Sequence, residues 1–265
     1  MAFLTVAFVL PVAHMMLLAV VPDTVGRFIT LDRFTAILGD PYDRALVLRT
    51  LRIGVAVTAL SLVMAYPVAL FMRDLASRWQ SVLVLIMVSP LLTSVVVRSL
   101  AWVVLLSRQG VLNQGLRALG LPDLLLMYSE AGVVIALTHV FFGYMVVSLL
   151  TVLRRIDDNL YSAAFNLGAS RLRAFLAITL PLSLPGVLTG CVLVFTLSAS
   201  AYATPALVGG SRNAMLAVEV YNLAILQLAW GDAAAVATVL FALIVAVVVL
   251  TTWVTEGGRR KVIFQ

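Results

Sequence analysis

The chain is 265 residues long, 63% hydrophobic and 11% charged, with a mean hydropathy of +1.10. Its apolar runs approach the ~20 residues that a bilayer-crossing helix needs, which excludes a soluble globular domain; their continuity excludes a transmembrane barrel, whose strands alternate over segments of ~10 residues. A formal charge of +6 would suggest nucleic acid in a soluble protein, but here the arginines flank apolar runs, where they report topology and imply no nucleic-acid partner.

The pattern predicts an all-α polytopic protein with six membrane helices. The first, residues 1–22, has no basic leader segment and no small-residue cleavage site, so it reads as a span and not as a signal peptide. No Arg or Lys precedes it, which is unusual for an amino end that stays inside. Residues 23–43 mix four aspartates with two arginines and carry Gly and Pro, and are expected outside as short helical turns. The second span, 46–72, ends in the basic turn from Arg73 to Arg78, expected inside. The third covers 80–106. Residues 107–130, broken by Gly110, Gly115, Gly120 and Pro122, suit a short interfacial helix on the outer surface. The fourth span is 131–153, and a polar connection, 154–184, follows. The fifth span is 185–207, residues 208–230 return outside, and the sixth is 232–255. Arg259, Arg260 and Lys261 then close the chain inside. Both termini are expected inside. The Lys and Arg count alone orients this arrangement weakly, because as many basic residues fall outside as inside.

The connection between the fourth and fifth spans is the most patterned polar stretch. Leu160, Ala164, Leu167, Leu172 and Phe175 recur at helical spacing beside Asp157, Asp158, Arg171 and Arg173, which predicts an amphipathic helix pair outside the bilayer. Gly168 allows a sharp turn or a close backbone approach between them. Pro181 and Pro185 are expected to stop the second helix before the next span.

Ser162-Ala163-Ala164, Gly168, Ile178 and Leu180-Pro181 reproduce the spacing EAA-x3-G-x9-I-x-LP. That pattern resembles the cytoplasmic signature of the permease subunits of ABC importers. Ser162 stands where the family usually has Glu, a departure that puts one charged contact of the loop in question. Residues 92–116 and the stretch TPALVGG at 204–210 are similar to the spermidine/putrescine permeases, specifically the first of their two permease subunits, and the similarity runs from about Phe34 to Thr252. The resemblance implies a type I importer fold in the bacterial cytoplasmic membrane, with the 154–184 loop, including Ala169, as the coupling segment. It also implies two copies of an ATP-binding subunit below, a second homologous permease beside this chain and a periplasmic binding protein above. No cofactor is expected in this chain itself, since ATP and Mg would be held by the partner subunits.

Nothing in the sequence supports catalysis. His14 and His139 have no Cys, Asp or Glu partner nearby, Cys191 lies in an apolar run, and no Gly-rich phosphate loop is present. An ion-coupled secondary transporter would want carboxylates inside the spans, where the sequence has essentially none. Arg98 is the exception among intramembrane positions. Its guanidinium, with Trp102 one turn on, is expected either on the translocation path or a subunit interface, or else at the outer membrane interface, snorkelling there or pairing with a carboxylate such as Glu130 or Glu219. Ser198, Ser200, Tyr202 and Thr204 precede Pro205, which frees the carbonyl of Ala201. A helix broken at that point would gather them at a solute site; alternatively their hydroxyls bond back to their own helix. Polyamine permeases often carry an acidic residue in this stretch, and Ala201 stands there instead, so an amino acid, opine or phosphonate-type solute is the alternative to a polyamine.

Overall fold

In a computed structural model of the chain, residues 2–21 and 30–262 are described. The described residues are helical, with α1 Ala2–Val20, α2 Asp32–Gly39, α3 Pro41–Arg73, α4 Ser77–Leu92, α5 Val95–Leu106, α6 Val111–Ala118, α7 Glu130–Leu153 and α8 Asp158–Asn166. They continue with α9 Arg171–Ala199, α10 Leu216–Leu226 and α11 Trp230–Val262. Five stretches are long and apolar enough to cross a membrane: Pro41–Arg73, Val95–Ala118, Glu130–Leu153, Arg171–Ala199 and Trp230–Trp253. The second of these is not one rod, because the chain turns at 107–110 between α5 and α6.

The core is built on α3, α7 and α9. Ile53, Val57, Ala65 and Met72 from α3 meet Val133, Leu137, Met145, Leu149 and Leu153 from α7 and Val194 from α9. A second cluster joins α1 and α11 to the first turns of α3 through Ala19, Ile37, Leu46, Leu216 and Ala235. Outward faces carry exposed Val63, Phe71, Leu85 and Trp253, the surface expected of helices that meet lipid or another membrane subunit.

Close approaches of α7 to α4 rest on Gly143. A Cβ there would sit 2.5 Å from the carbonyl oxygen of Met87. Gly143→Ala is therefore expected to force α4 off α7 and destabilise the chain by about 1–3 kcal/mol, read as a lower thermal midpoint in lipid. Gly115, where a Cβ would meet nothing within 4 Å, provides the control. Gly115→Ala should be neutral or mildly stabilising in a helix, and equal losses from both would refute the packing argument.

Four expectations need correction. The third span is not a single helix over 80–106: α4 ends at Leu92, the chain is extended at Thr93 and Ser94, and α5 begins at Val95. Pro90, whose ring removes a backbone donor near the end of α4, is the local cause. Pro181 and Pro185 do not stop a helix. The chain runs helical from Arg171 to Ala199 because a wide turn over Phe175–Thr179, in which the Leu180 N–H bonds the Phe175 carbonyl five residues back, re-registers the backbone just before Pro181. The polar connection is correspondingly shorter than 154–184. Residues 208–230 bury Val208, Met215 and Leu216 fully. Finally, the fifth span does not cover 185–207: its helix runs Arg171–Ala199 and breaks over 200–202, around Ala201, whose carbonyl Pro205 frees. Residues 22–29, part of the expected outer connection, lie outside the described residues, as do the side chains of Arg259, Arg260 and Lys261.

Within the stretch 107–130 a short helix, α6, is present. Asn113, fully buried, clamps its hairpin: Nδ2 donates to the carbonyls of Ser107 and Leu124, both at 3.1 Å, and Oδ1 accepts from Leu124 N at 2.8 Å. Arg117 closes the same turn with two bonds to Asp123, at 2.7 and 2.6 Å. These bonds hold the Asp123 carboxyl below the ordinary carboxylate range.

Candidate coupling elbow and translocation path

At one end of the bundle, α8 starts on Asp157, whose carboxylate accepts from Asn159 N at 2.9 Å. The helix ends at Leu167 and Gly168, and Gly168 lies in the left-handed region at φ +80. Ser170 then caps the start of α9 by accepting from Arg173 N at 3.3 Å. Gly168 thus serves the turn and not a close approach, since a Cβ there would meet open space. The tip projects apolar surface: Leu167 is 89% and Leu172 is 68% exposed. Ser162 and Ala163 are exposed on α8, Ala164 and Ala169 are half-buried, Ile178 packs against the core and Pro181 is exposed. Ser162 donates to the Asp158 carbonyl at 3.3 Å and meets no charged partner.

Arg73, at the end of α3, ties this elbow to the bundle. It donates to Tyr161 Oη at 2.8 Å, to the Ile156 carbonyl at 3.3 Å and to the Asp158 carboxylate, and its guanidinium lies 4.8 Å from the Tyr161 ring centroid. Tyr161 Oη is in turn 2.7 Å from Thr179 Oγ1 on α9. A single arginine therefore joins α3, α8 and α9. The turn from Arg73 to Gln80 lies at the same end, fastened by Gln80 Nε2 donating to the carbonyls of Met72, Arg73 and Leu75. In the sequence Arg73 registered only as a topology marker, because a three-way contact separated by 88 residues leaves no local periodicity.

The opposite end is held by ion pairs that sequence spacing did not reveal. Glu130, at the start of α7, pairs with Arg49 at 3.4 Å and Arg52 at 2.9 Å, and Arg33 pairs with Asp232 at 2.9 Å. Glu219 accepts from Tyr42 Oη at 3.1 Å. Arg98 therefore pairs with neither Glu130 nor Glu219, and its recorded bond is a donation to the Pro90 carbonyl.

Between the two ends, both helix breaks lie near polar side chains. Arg98 sits on the first turn of α5, and Trp102 on the next turn packs edge-on against His139 of α7, with ring centroids 5.5 Å apart. Arg98 is half-buried and His139 exposed. At a rise of ~1.5 Å per residue, Arg98 lies about 12 Å from the Leu106 end of α5 and His139 about 14 Å from the Glu130 end of α7. Ser99, fully buried, bonds Thr204 across the bundle at 3.0 Å, which docks α5 onto the break in the fifth span. Ser198 and Ser200 bond back to their own helix, Ser198 to the Phe195 carbonyl at 3.0 Å and Ser200 to that of Thr196 at 2.8 Å. Tyr202 stacks on Tyr221 with centroids 4.3 Å apart. The four residues are thus not gathered on one cavity: Ser198 and Thr204 are buried, while Ser200 and Tyr202 are exposed at the break. The alternation in sequence could not show this sorting, which follows from where the helix ends.

The described residues thus form a helical bundle with two interrupted spans and a capped elbow at one end. The family model described as "Binding-protein-dependent transport system inner membrane component" matches residues 1–256. The chain belongs to this family. As such an inner membrane component it is 32% identical over 189 residues to the Escherichia coli (strain K12) spermidine/putrescine transport system permease protein PotB, covering 71% of this chain and 68% of the relative. It is 30% identical over 221 residues to the Mycobacterium bovis molybdenum transport system permease protein ModB, covering 82% and 81%. A chain from the crystal structure of a bacterial ABC transporter that imports the acidic polysaccharide alginate superposes with a TM-score of 0.76 at 17% identity, over 96% of this chain and 92% of that one. A second structure of an alginate transporter, in complex with an alginate-bound periplasmic protein, gives a TM-score of 0.73. This inner membrane component is thus an all-α permease subunit of an ABC importer, with the type I fold.

Proposed function

We propose that this permease subunit lines one half of a translocation path for a small polar organic solute. One of two copies of an ATP-hydrolysing subunit docks on the α8 elbow, and the other on the matching segment of the second permease. A second, paralogous permease completes the path within the bilayer, and a periplasmic binding protein delivers solute to the end that carries Glu130 and Asp232. Both chain termini then lie inside. The relatives named for spermidine and putrescine favour a polyamine, and the alternative is an anionic or zwitterionic solute such as an amino acid, an opine or a phosphonate. Ser162, Ala163, Ala164, Gly168, Ala169, Ile178 and Pro181 belong to the coupling segment; Arg98, Trp102, Ser200 and Tyr202 face the path, with Ser198 and Thr204 supporting it from behind.

The observation that carries this reading is the elbow tip. Leu167 and Leu172 stand clear of the bundle on a turn that is capped on both sides, and apolar side chains held out in this way fit an intersubunit groove. Leu167→Glu, which would bury a carboxylate in that groove, is expected to reduce co-purification of the ATP-hydrolysing subunit by about tenfold, equivalent to ~1.4 kcal/mol. Undiminished co-purification would remove the elbow from the interface. The chain purified alone in lipid is further expected to hydrolyse no ATP and to transport nothing, with activity appearing only in the complete complex. ATP hydrolysis by the isolated chain at the rate of the complex would overturn the assignment.

A further inference from the structure

We propose that the solute presents a carboxylate or another oxyanion to Arg98, and that the path selects against polycations. This rests on the path assignment above and adds the charge class of what passes.

The cation at mid-path lacks a counter-charge. Among the described residues, Arg98 donates to one backbone carbonyl, while its Nε is buried without a hydrogen-bond partner. The acidic groups that could have reached it are engaged at the helix ends: Glu130 by Arg49 and Arg52, Glu219 by Tyr42, and Asp232 by Arg33. The elbow and hairpin acids, Asp158 and Asp123, are likewise paired with arginines. A guanidinium held away from bulk water without a carboxylate is costly, and this one remains half-exposed beside an exposed histidine. Neither group can face hydrocarbon at that depth at low free energy, which leaves the path or the seam with the second permease, and His139 lies within electrostatic reach of Arg98. A planar guanidinium with free donors matches an oxyanion in paired hydrogen bonds. A diamine would meet only repulsion there.

Sequence identity does not decide the matter in favour of a polyamine. Relatives at 32% and 30% identity are named for spermidine/putrescine and for molybdenum, respectively, so similarity at this level spans different solutes.

The test uses the complete complex in lipid nanodiscs and two four-carbon probes, 4-aminobutanoate and putrescine, which differ by a carboxylate in place of a protonated aminomethyl group. Glutamate serves as a second carboxylate probe. Carboxylate probes in the millimolar range are expected to raise the thermal midpoint of the permease by a few degrees, since a ligand that binds only the folded state stabilises it. They are expected to quench or shift Trp102 fluorescence as well. Putrescine should do neither, and Arg98→Gln should abolish both responses while the complex still assembles. Stabilisation by putrescine, equal responses from wild type and Arg98→Gln, or no response to any carboxylate probe would overturn the proposal. Loss of assembly in Arg98→Gln would also overturn it, assigning Arg98 to a carboxylate of the partner permease. Co-purification through Leu167 is measured independently, so failure here leaves the conduit reading standing and removes only the charge class of the solute.

Discussion

Gly168→Val is expected to abolish coupled uptake while the complex retains ATP hydrolysis. Gly168 holds φ +80 at the turn between α8 and α9, a conformation that a β-branched residue adopts only at a strain of about 1–3 kcal/mol. The space around it is open, so the effect comes through the backbone and not through a clash within this chain. Relief of the strain requires a different turn, which re-aims Leu167 and Leu172 and misaligns the elbow in its groove. Gly168→Asn should be far milder, because Asn tolerates the left-handed region. Ser162→Ala should also be mild: it removes one exposed 3.3 Å bond to the Asp158 carbonyl, a loss of the order of 0.5 kcal/mol or less for a surface position. ATPase activity and uptake measured together in reconstituted complexes decide the order, and equal mild effects from valine and alanine would refute it.

Arg73→Ala is expected to loosen the elbow from the bundle. The substitution strips donors from Tyr161 Oη and from the Ile156 carbonyl, and removes the cation over the Tyr161 ring. The pairing with Asp158 adds little, since that side chain is 91% exposed and screened by water. The remaining partly buried bonds together contribute about 2 kcal/mol, so amides of α8 should exchange roughly thirtyfold faster in Arg73→Ala. The ratio of solute moved to ATP hydrolysed should fall with it, because motion of the elbow no longer reaches α3 and α9 as one body. Arg73→Lys should not rescue, since a single ammonium cannot bridge three acceptors in a plane. Tyr161→Phe, which keeps the ring and loses the bonds to Arg73 and Thr179, should give a smaller effect of the same sign. Unchanged exchange in Arg73→Ala would show that core contacts such as Ile156 and Ile178 fix the elbow without it.

Most of the architecture was legible without coordinates, and for simple reasons. Apolar runs of bilayer length leave a chain little choice but helices, since backbone polar groups in hydrocarbon must pair within their own segment. The elbow could be read because its signals are local: a glycine where the chain must turn, and apolar side chains at helical spacing beside charged ones. Ser162 to Pro181 carry their pattern in order along the chain, so one strand of text suffices to see it.

The places where the expectation failed are those in which neighbours outvote a local signal. Pro181 and Pro185 look like stops, yet a widened turn over Phe175–Thr179 absorbs them and the packing of α9 on α3 and α7 carries the helix through. The division of the third span at Thr93 and Ser94 could not be placed, because an apolar run continues on both sides of it. Pairings were equally hidden: Arg73 with Tyr161, Glu130 with Arg49 and Arg52, and Ser99 with Thr204 join residues 78 to 105 positions apart. Arg98 shows the division most clearly. Its residue type and its depth in an apolar run already marked a charge out of place. That both carboxylates named for it are taken by other partners, leaving it beside His139 and Trp102, follows only from how the helices pack, because distance in space and not order along the chain sets which charges meet.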